Sequence, residues 1–283
     1  MTENELKALV SLLDDDDKQI TTHVEEKILS LGKEAIPFLE KEWESNMNPS
    51  VQGRIEDLIH TLQYDLMKDR LINWYKSKDH DLLTGMWIIA TYQYPDVELE
   101  KLKQELEQIY YETWLEFRPE LYAFDQVKVI NSVIFNKLKF GANTKNFHSP
   151  GNSMINVVLE TKKGNPITLC AIYMLVAQKL KLPVHGVNLP NLFILTYKDD
   201  NHQFYINAFN KGLIFSKQDI ENYISELHLV PQPSFYEPCS HLEIIRRALR
   251  NLTMSFEKMG EHAKAEEVKM LLVEISDGGD LGV

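Results

Sequence analysis

Cysteine is scarce, with only Cys170 and Cys239 in 283 residues. Two thiols cannot form the disulfide framework of a small secreted fold or the four-ligand cluster of a zinc ribbon, so a reducing compartment is expected. Long apolar runs are also lacking. The longest, Leu169 to Ala177, has nine residues, whereas a helix that crosses a bilayer needs about 20. The opening Met1-Thr2-Glu3-Asn4-Glu5 has neither the basic nor the apolar region of a secretory signal. Positive charge is in deficit, with 30 Lys and Arg against 42 Asp and Glu for a net charge of −12. Such a field repels phosphate backbones and anionic lipid. A soluble, cytoplasmic chain with no nucleic-acid partner and no membrane partner is therefore expected. With 44% hydrophobic and 25% charged residues, it can bury a core, and its length suits one to three domains.

From Asn4 to about Gln63 the apolar residues recur at helical spacing: Leu6, Leu9, Val10, Leu13; Val24, Ile28, Leu31; Ile36, Leu39; Ile55, Leu58, Leu62. The run Asp14-Asp15-Asp16-Asp17 reads as a solvated turn whose carboxylates favour a following helix N-terminus. Gly32 ends one helix and Pro37 sits in the first turn of the next, in a phrase that resembles a HEAT-type repeat. Residues 1–66 are thus expected to form a HEAT-like segment. Further helices follow up to Leu138, with Pro95 and Pro119 as breaks. Trp74, Trp87 and Trp114, set among apolar residues, are expected in the core.

After Gly141 the pattern changes. A polar loop runs from Asn143 to Pro150, a helix from Asn152 to about Lys162, and Gly164 ends it. Asn165 then takes the N-cap position and Pro166 the first helical one. The helix they open is apolar on every side, the mark of a central, buried element. Beyond Pro183 the period becomes two, giving strands at Val184–Leu189, Phe193–Tyr197 and Phe204–Phe209. Pairing Tyr197 with His202 across the polar loop between the last two would set Leu192 opposite Asn207. Lys217 to Leu227 reads as a helix and Pro231, Pro233 and Pro238 as a linker. The remainder is a helical hairpin turning at Gly260 that resembles one TPR-type unit. Arg246, Arg247 and Arg250 lie within about a turn of one another and are expected to pair with internal carboxylates.

Three phrases carry a stronger likeness: Pro150-Gly151-Asn152-Ser153-Met154-Ile155-Asn156-Val157-Val158-Leu159, Lys163-Gly164-Asn165-Pro166-Ile167-Thr168-Leu169, and Leu182-Pro183-Val184-His185-Gly186-Val187-Asn188-Leu189-Pro190. Over residues from about 120 to 215 the chain resembles the SirB-type transglutaminase-like family, a bacterial group. The resemblance implies an α+β fold, mainly helical, with a papain/transglutaminase-like core in which a central buried helix packs on a small antiparallel sheet. It implies a transglutaminase-like domain at 67–238 between the HEAT-like segment and a TPR-like hairpin at 239–283.

The resemblance also implies a nucleophile at the start of the central helix facing a His and an Asp on neighbouring strands, suited to acyl transfer or amide hydrolysis. In this sequence the nucleophile position holds Thr168, the His position Leu192 and the Asp position Asn207. The base is aliphatic and the orienter a neutral amide, so the triad is degenerate. The expected function is that of a non-catalytic protein- or peptide-binding or regulatory module. Its groove would be bordered by Asn165, Thr168, Asn191 and Asn207, where free helix N–H groups favour anions. One alternative is a cysteine-dependent acyl transferase or amide hydrolase using a displaced Cys170, with His185 or His148 as base. The competing reading of Cys170 is a small buried hydrophobe. A second alternative is a structural adaptor acting through the helical flanks. The other histidines lack the spacing of a helical zinc site, and Gly278-Gly279 fits no nucleotide fingerprint. No metal and no cofactor is expected.

Overall fold

The glycine and proline singled out near the start of the chain do punctuate helices. The computed structural model describes residues 3–276 and divides into two units, Met1–Arg70 and Leu71–Val283. In the first, α1 (Glu3–Ser11), α2 (Lys18–Leu29), α3 (Ile36–Ser45) and the beginning of α4 (Pro49–Lys76) enclose a core of Val10, Leu13, Val24, Ile28, Leu39, Ile55 and Leu58. Asp17 caps α2 by accepting from the Gln19 amide at 2.8 Å, and Asp14 accepts from Asn48 at 2.7 Å, so the acidic turn is held by capping geometry. Gly32 is left-handed at φ +64°. Helix α4 runs unbroken through residue 66.

The second unit opens with α5 (Leu82–Ala90), α6 (Leu99–Trp114) and α7 (Ala123–Asn131), which continues as a π-helical turn over Ser132–Lys137. Trp74 and Trp87 anchor their indole N–H groups on the carbonyls of Asp81 (2.8 Å) and Val97 (2.7 Å). Trp114 departs from expectation: at the end of α6 it is 55% exposed. Two short parallel strands, β1 (Gly141–Ala142) and β2 (Lys163–Gly164), clamp the loop between them. Helix α8 (Ile155–Thr161) starts later than the sequence suggested, behind a 3-10 turn over Pro150–Ser153.

Helix α9 (Pro166–Lys179) is the central one, buried from Ile167 to Ala177 with Leu175 as the exception. It lies against an antiparallel meander of β3 (Val184–Leu189), β4 (Leu192–Lys198), β5 (Gln203–Asn207) and β6 (Leu213–Phe215). The last strand, short and behind the left-handed Gly212, was not anticipated. Helices α10 (Lys217–Glu226), α11 (His241–Met259) and α12 (His262–Glu274) complete the unit. The α11–α12 hairpin turns at Gly260, φ +78°. Helix α11 packs on α5, α9 and β3, so the terminal hairpin shares a unit with the sheet. Arg246 donates to the Ile275 carbonyl and Arg247 to the side-chain oxygen of Asn188, each within 2.8 Å. For Arg247 the partner is therefore an amide in place of the expected carboxylate.

The β4–β5 register differs from the expected one. Tyr197 pairs with Phe204 and Lys198 with Gln203, a shift of two residues. Asp199 causes it. One of its carboxylate oxygens accepts from the amides of Asn201 and His202, both at 2.7 Å, which draws both residues into a four-residue loop. One step beyond the last pair, Leu195 with Ile206, Asn207 stands level with Ile194. Leu192 pairs instead with Leu189, across a turn in which Asn191 takes φ +57°. Because the shift is even, the faces of the strands are unchanged and only the level moves. Among the described residues no helix is long and apolar enough to cross a membrane, and Gly278 and Gly279 lie outside them.

Candidate functional site

The tip of α9 is built from asparagines. Asn165 caps the helix by accepting from the Thr168 amide at 2.9 Å, and its side-chain N–H donates to Ser153 Oγ at 2.9 Å. Its own backbone N–H donates to the carbonyl of Asn152. The Asn152 side chain donates to the carbonyls of Asn146 (2.7 Å) and Phe147 (3.0 Å) and accepts from Asn143 at 2.8 Å. Asn152, Ser153 and Asn165 are all buried, where an unmade hydrogen bond costs more than a made one contributes. Two Gly-Asn phrases that look like parts of a catalytic signature thus splice the 143–153 loop to the helix start. The repeated Gly-Asn ahead of each helix was the available signal for Asn143, Asn152 and Ser153.

Thr168 sits one turn in, 1% exposed, and its hydroxyl has no hydrogen-bond partner. Cys170 is fully buried. Its thiol donates to the Phe193 carbonyl at 3.7 Å, and burial pushes its pKa far above the ordinary thiol value, against a smaller opposing effect of the Ala208 backbone. No imidazole is bonded to either residue. His148 lies in an exposed loop, edge-on to Phe147 with centroids 5.1 Å apart. His185 is half-buried on β3, paired with Thr196. Its pKa is lowered, first by burial and then by His241.

Leu192 packs against an apolar cluster of Val187, Leu189, Ile194, Tyr205, Ile220 and Ile224, on the side of the sheet that α10 covers. Asn207 is half-buried, and its side-chain oxygen accepts from the Asn210 amide at 3.0 Å, closing the turn after β5. Asn191 shapes the β3–β4 turn. Of the four residues expected to border an open groove, Asn165 and Thr168 are sealed from solvent. The geometry therefore offers a helix N-terminus with an unengaged hydroxyl and no proton acceptor within bonding reach. Among the described residues no group of three or more His, Cys, Asp or Glu is placed to hold a metal ion.

The family model for the transglutaminase-like superfamily matches residues 100–250, more than half of the chain. A UPF0162 protein of Xylella fastidiosa strain 9a5c is 31% identical over 180 residues, covering 60% of this chain and 63% of that relative. A UPF0162 protein of Vibrio cholerae is 24% identical over 131 residues, 46% of this chain and 48% of the relative. F-box only protein 21 of Mus musculus is 28% identical over 131 residues, 44% of this chain and 20% of its own length. The chain thus matches less than two thirds of the length of these curated relatives. No solved structure matches.

Proposed function

This chain belongs to the transglutaminase-like superfamily, and from that membership we propose that it is a non-catalytic member of SirB type, acting in the cytoplasm as a protein- or peptide-binding or regulatory module. One observation carries the reading: the Thr168 hydroxyl, near the start of α9, has no hydrogen-bond partner. Leu192, which the resemblance sets at the proton acceptor's position, is an aliphatic side chain packed into the cluster beneath α10 and pairs with Leu189 in place of facing Asn207. Nothing bonded to Thr168 can take its proton, and an unassisted hydroxyl is a poor nucleophile. Asn207, the orienter position, spends its acceptor on a local turn. Loss of one triad member costs a rate factor of about 10⁴, and here both the base and the thiol are replaced.

The test is turnover. The pure chain is incubated with fluorogenic amides and with glutamine-peptide and amine pairs, beside Thr168→Ala and Cys170→Ala variants. No turnover above buffer is expected from any of the three. Turnover by the parent that either substitution abolishes would overturn the proposal.

A second reading, an adaptor working through HEAT-like and TPR-like flanks, is favoured by the α11–α12 hairpin. It leaves Met254, Met259, Met270 and Val273 each more than half exposed. Methionine surfaces adapt readily to partner shape. A charge-neutral change such as Met270→Gln that abolishes partner capture while leaving the fold intact would select the adaptor.

A further inference from the structure

We draw no further inference here: the strongest candidate, the exposed apolar stripe of Tyr111, Trp114 and Leu115 at the C-terminal end of α6, carries nothing because nothing in the structure shows what covers it.

Discussion

Tyr197 and Phe204 stack face to face across β4 and β5, with ring centroids 5.0 Å apart and planes within 4° of each other. Phe124 meets Phe204 edge-on at 5.7 Å, so the pair is also tied to α7. Directly opposed aromatic residues stabilise a strand pair through contact area and quadrupole geometry. Together with Asp199, they hold Asn207 level with Ile194.

The register is therefore open to a direct test. Phe204→Ala should cost about 2 kcal/mol, below the range for a fully buried phenylalanine because Phe204 is half-buried. Asp199→Ala should lower the urea midpoint by removing the carboxylate oxygen that accepts from two backbone amides, and should speed exchange of the Asn201 and His202 amide protons. Urea unfolding and hydrogen exchange give the two readouts. Slow exchange at both amides in Asp199→Ala would show that something other than this carboxylate sets the loop.

Local chemistry was legible in the sequence wherever a residue's partner lies within a few positions of it. The Asn165 cap with Pro166 behind it, the left-handed Gly32 and Gly260, and the fully apolar α9 all follow from nearest-neighbour rules. What was hidden depends on partners distant in the chain or on choices between near-equal alternatives. The polar composition of residues 198–201 marks a loop without fixing its length. Alternation by two cannot distinguish registers that differ by two, and the side chain of Asp199 made the choice. Trp114 lies on an apolar-looking stripe whose last turn faces solvent. The Asn152 network was hidden because it joins residues 143–153 to Asn165 through side-chain amides, contacts that neither periodicity nor local spacing encodes.

That network makes a second prediction. Asn165→Ala removes the α9 cap, worth about 1–2 kcal/mol, and leaves Ser153 Oγ and the Thr168 amide without their partners. Asn165→Asp keeps the acceptor for Thr168, and Ser153 can donate to the carboxylate, so its cost should be clearly smaller. Thermal unfolding of the two variants ranks them. If aspartate destabilises as much as alanine, the acceptor role assigned to Asn165 Oδ1 is wrong.

A third concerns pH. Burial, and secondarily His241, hold the His185 pKa below the ordinary 6.5. His241 itself meets the carbonyl of His80 at 3.0 Å. As pH falls, the unfolded chain takes up the proton at residue 185 before the folded chain does. Stability from this group is thus complete above about pH 6.5, declines as pH drops below it, and levels off once the folded form is protonated too. His185→Gln should flatten the stability curve between pH 7 and the onset of acid unfolding relative to the parent. Parallel curves for the two proteins would contradict the shift.

The fourth prediction bears on chemistry at the helix tip. Cys170 is sealed in the core with its thiol raised by desolvation, while Cys239, whose backbone N–H donates to the Gly186 carbonyl, is half-buried and pushed up to about 12 by burial and then by Glu243. The thiolate is the reactive form, so at pH 7.5 both should alkylate more than about 100-fold more slowly than a free thiol of pKa near 8.5. Cys239 should lead, because Cys170 can react only when the sheet lifts from α9. In urea the two should become equal. Quench-labelling with iodoacetamide and peptide mass spectrometry reads both sites at once. Rapid native labelling at Cys170, ahead of Cys239, would mean that a base reaches the thiol by a route that the contact between Cys170 and the Phe193 carbonyl does not reveal, and the protein would have to be treated as an enzyme.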